Sequence, residues 1–404
     1  MKILHVVPAI GAVYGGPSLS VLSLAENQTR LDVEVDLVTT NRNGAQQLDI
    51  STQTWVTDKG FRIQYFPCWY FNDYKISPSM SRWLNRHVRD YDFVNIHAIF
   101  SYANVAAYQA CQRDRVPYII HPHGMLETWS LNHKSWKKKP YYAAIEKPAL
   151  ERASAIRVLS TTEVENLQTL GIQTPLALIP NGISAEASAT ACDSSIFYQS
   201  FPATIDKTLI LFLGRIDPKK GLDLLAQAFA QAYQEFPHIH LVIAGPDNIG
   251  YLATVKQYFA AQQCLHAVTF TGMITGTLKA AALATADIYV APSYSEGFSM
   301  SVLEGMLSGL PCIITTACNF PEADEAKTAH VVEINAEAIA NALIDCLKDP
   351  AAAKAMGDRA RHFVQKNYTW DKISRDLLEV YQKILSQKVW MNKNYLKESK
   401  KLWL

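Results

Sequence analysis

"DIYVAPSYSEGFSMSVLEGMLSG", residues 287–309, decides how this chain is read. "DIYVAPS" has the length and β-branched, aromatic character of a buried strand. "MSVLEGMLSG" has helical spacing, with Gly309 as its stop signal. "SYSEGFS" is then the loop at the carboxyl end of a strand, leading into a helix N-terminus. Glu296 and Glu304 bracket seven uncharged residues there. Gly297 allows close approach to free helix N–H groups, which suit a phosphate or a sugar hydroxyl. A carboxylate accepts from two vicinal hydroxyls. Either acid alone fits a surface position, with Ser299 merely capping the helix. Both together, with a glycine in a strand–loop–helix context, point to a ligand.

The same alternation runs outward along the chain. Before residue 184 the strand-like runs are "KILHVV" (2–7), "VEVDLVTT" (33–40), "RIQYF" (62–66), "FVNIHAIF" (93–100), "PYIIHPHG" (117–124), "AIRVLS" (155–160) and "PLALIP" (175–180). After 206 they are "LILFLGRI" (209–216), "IHLVIAGP" (239–246), "AVTFTG" (267–272), "DIYVAP" (287–292), "PCIITT" (311–316) and "HVVEI" (330–334). Near-continuous apolar strands with helical crossovers imply parallel sheets buried on both faces. The small, polar stretch 184–206 has no period and reads as a linker. We therefore expect an α/β chain of two Rossmann-like, doubly wound domains, 1–183 and 207–369, with a ligand cleft between them. From 335 onward the pattern is helical.

A chain of 404 residues is too long for one ordinary core. Its net charge of +1 gives no global field toward nucleic acid, and no base-reading module is present. Seven cysteines without a CxxC pair fit a reducing compartment. The apolar N-terminus is shorter than a signal peptide requires and fits a first strand. We expect a cytoplasmic protein.

Four further features carry chemistry. In "LFLGRIDPKKG" (211–221), Arg215, Lys219 and Lys220 follow a strand and precede a helix. This is not a P-loop, yet cations at a strand end suit a diphosphate. A solvated cluster is the preferred reading for Lys219; Arg215 and Lys220 point to function. "GAVYGGPS" (11–18) lacks the GxGxxG spacing, but Gly15 and Gly16 permit close backbone approach. His121 and His123 end the strand in "IIHPHGML" (119–126). No third ligand is evident in sequence, so a sugar contact is preferred to a metal, with one histidine structural. "HKSWKKKPYY" (133–142) and the tail 388–404 mix lysines with aromatics. They suit either an anionic lipid surface or a solvated helix and terminus.

With these residues in place, the sequence resembles the retaining glycosyltransferases of family four, which have the GT-B architecture. The landmarks, in order, are Gly15-Gly16, "PHG" at His123, "LSTTE" (159–163), "IPNGI" (179–183), "GRIDPKKG" (214–221) and "EGFSMSVLEGMLSGLP" (296–311). The resemblance implies that Arg215 and Lys220 hold a donor diphosphate and that Glu304 accepts from the donor ribose. It implies that Glu296 and the backbone of Phe298, Ser299 and Met300 contact the donor sugar and diphosphate. His123 would lie near the sugar's C6 side and Gly16 near phosphate. It also implies that the last helix, about 370–404, packs back on the first domain. Ser184 stands after "NGI" where the family often has Asp.

The reaction so implied is hexosyl transfer from a UDP- or GDP-sugar to an acceptor hydroxyl with retention. It needs no metal and no cofactor besides the donor. Glu296 would position rather than attack, unlike the paired carboxylates of a glycosidase. A sugar or lipid-linked acceptor in bacterial polysaccharide or glycolipid assembly, with peripheral contact at the inner membrane face, fits the basic aromatic stretches. The rival readings are a nucleotide-sugar sensor without activity, a sugar-nucleotide epimerase, and a nicotinamide oxidoreductase. The last lacks its glycine fingerprint.

Overall fold

A computed structural model describes residues 1–71, 74–126, 139–184 and 192–391. Residues 133–138 of the first basic stretch and residues 392–404 of the tail lie outside the described residues. The chain divides into two units, Met1–Gly182 with Trp370–Leu404, and Ile183–Thr369.

The first unit is built on β1 (Lys2–Val6), β2 (Glu34–Thr40), β3 (Trp55–Asp58), β4 (Phe61–Phe66), β5 (Phe93–His97), β6 (Tyr118–His121), β7 (Ala155–Val158) and β8 (Leu176–Leu178). Their order is β8-β7-β6-β5-β1-β2-β4-β3. All pairings are parallel except β3, which runs antiparallel on the edge beside β4. The order reverses between β1 and β5. Residues alternate faces along each strand. Leu4, Val6, Val94, Ile96, Ile120 and Ile156 enter one core. Ile3, Val7, Phe93, Ile119 and Ala155 enter the other, beneath helix α1 (Gly16–Thr29).

The final helix of the unit runs Trp370–Met391 and packs on α1. Trp370, Ile373, Leu377 and Tyr381 recur at helical spacing and are buried in that second core. Burial of each is worth about 1.5–3 kcal/mol.

The second unit has β9 (Thr208–Leu213), β10 (Ile239–Ala244), β11 (Val268–Gly272), β12 (Ile288–Ala291), β13 (Cys312–Thr315) and β14 (His330–Val332). All are parallel, in the order β11-β10-β9-β12-β13-β14. This is the doubly wound order, reversing between β9 and β12. Leu209, Leu211 and Leu213 face one core, Ile210 and Phe212 the other.

All thirteen strand-like runs form strands. The edge strand β3 and the short antiparallel pairs of 42–43 with 46–47 and of 69–71 with 74–76 were not read from the sequence, their strands being only two to four residues long. The stretch read as a linker is corrected in part. Residues 195–200 form a helix whose Phe197 is fully buried in the second unit's core. Its small polar residues hid one aromatic anchor.

Candidate functional site

In open α/β sheets, ligands bind beyond the carboxyl ends of strands where the strand order reverses. In the second unit this point lies between β9 and β12, and both sequence-derived motifs converge on it. After β9 come Arg215, which is exposed, and a 3₁₀ turn at Pro218–Lys220. The side chain of Asp217 accepts from Lys219 N at 3.1 Å and holds that turn. Gly221 then opens α2 (Leu222–Glu235). Its φ is 67°, and a Cβ there would stand 1.9 Å from the carbonyl oxygen of Pro292, just past β12. Only glycine lets the two strand-end loops approach so closely.

That approach lets Lys220 Nζ donate to Glu296 Oε1, and both side chains are nearly buried. Ser293 Oγ donates to the same oxygen at 2.8 Å. The Glu296 backbone is held by Asn319 and by Ala317 O. Burial pushes the Glu296 carboxyl up. The charge of Lys220 and its hydrogen bond outweigh burial and hold it below the usual carboxylate range. Lys219 is lowered by burial and by neighbouring Lys220. Arg215, Lys219 and Lys220 thus face Glu296 and Asp217, a local excess of positive charge.

Helix α3 (Gly276–Thr285) and helix α4 (Met300–Leu307) follow in the chain. Ser299 stands at the N-cap of α4, but its side chain makes no capping bond and instead meets Ser301 Oγ at 3.2 Å. Phe298 stacks on Tyr368 and meets Phe320 edge-on, so its side chain belongs to the core. Met300 packs there too. What Phe298 and Met300 leave toward a ligand is backbone. Glu304, half-buried, pairs with Lys279 of α3 at 2.8 Å. Lys279 escaped sequence reasoning because one lysine on a helix is ordinary. Its signal was position, on the helix before the strand that leads into the Glu296 loop.

In the first unit, Gly15 has φ 64° and caps α1 with open space around it. Gly16 begins the helix, and no side chain caps it. At the strand-order reversal of this sheet sits a polar cluster. His5 Nδ1 lies 2.9 Å from His97 Nε2, and His97 Nδ1 lies 3.1 Å from His123 Nε2. His121 Nε2 lies 2.9 Å from Asn95 Oδ1. Burial lowers the pKa of His5 to about 4 and of His123 to about 3, and lowers His97 and His121 as well. All four rings are neutral at pH 7.

His123 has φ 54°, and Ala98 and Phe100 after β5 have φ 66° and 55°. Such left-handed conformations are uncommon outside glycine and collect at functional sites. Glu163 steadies the loop after His123 by accepting from Gly124 N at 3.0 Å.

A third histidine beside His121 and His123, which the sequence withheld, is His97. Ring nitrogens of His97, His121 and His123 lie within 4.8 Å of one another, a spacing able to hold a metal. The buried guanidinium of Arg157, 3.4 Å from His121 Nδ1, sets fixed positive charge against that use. His5, Asn95, His97 and Arg157 were missed too. Their signal was a polar residue in the same alternating phase of four neighbouring apolar strands.

Two doubly wound parallel-sheet units, each with its candidate residues at the reversal of strand order, define a GT-B fold. Residues 14–187 match the model of Glycosyltransferase Family 4, and residues 197–363 match that of glycosyl transferases group 1. The chain belongs to this family of glycosyltransferases. It is similar to the phosphatidyl-myo-inositol mannosyltransferase of Mycobacterium tuberculosis, 28% identical over 217 residues that cover 51% of this chain and 53% of that protein. The matched part thus spans about half the length of such curated relatives.

Among solved structures, sucrose-phosphate synthase from Thermosynechococcus elongatus superposes with a TM-score of 0.76 at 20% identity, covering 96% of this chain and 100% of that one. Anabaena HepE, solved with UDP and glucose, gives 0.75 at 19% identity, covering 95% and 100%. At these identities the likeness shows the fold. Among the described residues, no helix is long and apolar enough to cross a membrane.

Proposed function

We propose that this protein moves a hexosyl group from a nucleotide diphosphate sugar, UDP- or GDP-linked, to an acceptor hydroxyl with retention at the anomeric carbon. The observation that carries this reading is the Lys220–Glu296 pair at the β9/β12 reversal, beside exposed Arg215 and a helix start with no side-chain cap. Arg215, Lys220 and the first N–H groups of α4 would hold the diphosphate. Each fixed cation about 4 Å from a phosphate charge contributes about 4 kcal/mol at an effective dielectric near 20, before desolvation.

Glu304 would accept from the ribose diol. Glu296, with Gly297 and the backbone of Phe298, Ser299 and Met300, would position the sugar and diphosphate. In the first unit His123 offers a contact for a sugar hydroxyl, and Gly15 and Gly16 offer backbone to a phosphate. UDP is present in the HepE structure, and a related mannosyltransferase is named as GDP-mannose-dependent; these support the choice of base.

The acceptor oxygen bonds to the anomeric carbon on the face the leaving group departs from. The carbon–phosphate oxygen bond breaks, and a leaving phosphate oxygen takes the acceptor proton. Positive groups already in place meet the developing charge, so no metal is required. Relatives named for phosphatidylinositol acceptors support a lipid-linked acceptor and peripheral contact at the inner membrane face. Salt-sensitive co-sedimentation with anionic liposomes tests that contact.

A thermal-shift panel of UDP, GDP, ADP and their sugars tests the donor, because a ligand that binds the folded state raises its stability. Product analysis with the best donor then separates transfer from epimerisation. No shift with any nucleotide sugar overturns the reading.

A further inference from the structure

Arg157 fixes the direction of every hydrogen bond in the buried histidine cluster. It is fully buried on β7. Its Nε donates to Ile179 O at 2.9 Å and its Nη2 to Pro180 O at 2.5 Å, while Nη1 faces His121 Nδ1. A guanidinium only donates. His121 Nδ1 must therefore carry a lone pair, so its proton sits on Nε2 and goes to Asn95 Oδ1.

With that oxygen set as the acceptor, the Tyr381 hydroxyl also donates to Asn95 Oδ1. Tyr381 oxygen then accepts from Gln28 Nε2 at 3.4 Å, leaving Gln28 Oε1 turned to His5 Nε2 at 2.8 Å. His5 therefore carries its proton on Nε2. Its bare Nδ1 accepts from His97 Nε2, whose bare Nδ1 accepts from His123 Nε2.

We infer that this one-way chain locks His123 as the Nε2–H tautomer, so that its Nδ1 offers only a lone pair, an acceptor for the hydroxyl proton of a sugar. Gln28, His5 and Tyr381 are positioning residues for that contact, although none of them touches the sugar. The opposite amide orientation of Gln28 would reverse His5, His97 and His123 together and turn Nδ1 into a donor. Tyr381 prevents it, because a reversed Gln28 would draw the tyrosine proton away from Asn95 Oδ1 and leave two lone pairs in close contact. The last helix thus sets the chemistry of a loop on β6, within the same unit. The inference rests on the proposed function for the sugar, but the tautomer itself does not.

The test separates the two. The full chain, labelled with ¹⁵N-histidine, is studied by long-range proton–nitrogen correlation at pH 7.5 without substrate. His5, His97 and His123 are expected to show a protonated Nε2 and a bare Nδ1. A protonated Nδ1 on His123 overturns the inference. Tyr381→Phe frees Gln28 to turn, and the three rings should then show both tautomers; Gln28→Leu serves the same end should the first variant fold poorly.

Unchanged tautomers in either folded variant overturn the role of the chain. A joint shift of the His97, His121 and His123 signals with one equivalent of Zn²⁺ also overturns it, in favour of a metal triad. In transfer assays the mixed-tautomer variant should lose kcat/KM in proportion to the share of His123 in the other tautomer, about twofold for equal populations. Full transfer alongside mixed tautomers overturns the sugar contact at His123 and leaves the lock standing.

Discussion

Lys220 and Glu296, 76 residues apart, form a nearly buried ion pair across the point where the second sheet reverses its strand order. Neither charge is stable there alone. Lys220→Met leaves a nearly buried carboxylate supported by the charge of Lys219 and by the Ser293 hydroxyl, and should cost roughly 3 kcal/mol of stability. The double variant Lys220→Met with Glu296→Gln should regain most of that stability and none of the transfer activity. Denaturant titration beside a turnover assay checks both. Recovery of activity in the double variant would show the pair to be structural.

Arg215 gives the cleaner test of the diphosphate site, since it is exposed. Arg215→Ala should lower turnover at least a hundredfold, about 2.7 kcal/mol of transition-state stabilisation. Its thermal midpoint should stay near that of the parent, as surface substitutions usually change stability by less than about 0.5 kcal/mol. Steady-state kinetics and a melting curve on one preparation suffice.

Gly221 ties the two loops together. Gly221→Ala asks a side chain to occupy φ 67° and to overlap Pro292 O. The loops must part, and we expect a loss of about 2–4 kcal/mol with lower nucleotide affinity. Calorimetric melting with and without UDP or GDP measures both.

The regular parts of both sheets were legible because a strand buried on both faces must be apolar along its length. The Glu296 loop was legible because glycine, acid and helix start lie together in sequence. What escaped had its partners far away. Lys279 gains meaning only beside Glu304 on the following helix, and Arg157 only beside His121 on the neighbouring strand, contacts between residues that no local pattern links. Phe197 was hidden among small polar neighbours. The short hairpins escaped because strands of two or three residues are too short to show a period.

Glu146, buried in the first unit, accepts from Phe100 N at 2.7 Å. Burial raises its pKa to about 7, against a weaker lowering by that N–H. In the folded state it keeps a proton that the unfolded chain has lost, so folding stability falls as pH rises from about 4.5 to 7. Glu146→Gln removes the titration and keeps the acceptor. It should melt higher than the parent at pH 8, by the equivalent of about 1–3 kcal/mol, and nearly equally at pH 5. Melting curves at the two pH values check it.

The histidine cluster acts with the opposite sign. His5, His97, His121 and His123 all titrate below the ordinary 6.5 because burial opposes their charge. The unfolded chain binds protons there that the folded chain does not, so stability falls as pH drops below 6.5. For His5, lowered to about 4, the loss amounts to roughly 3 kcal/mol by the time pH passes that value. At pH 5.5 these four imidazoles, and His240, which burial also lowers, should take up protons on unfolding, while Glu146 releases about one. Calorimetric unfolding in buffers of different ionisation enthalpy should therefore show a net uptake of protons. Glu146→Gln should raise that uptake by about one. A net release would mean that the rings are charged in the folded protein, and a charged His123 has no lone pair to offer a sugar.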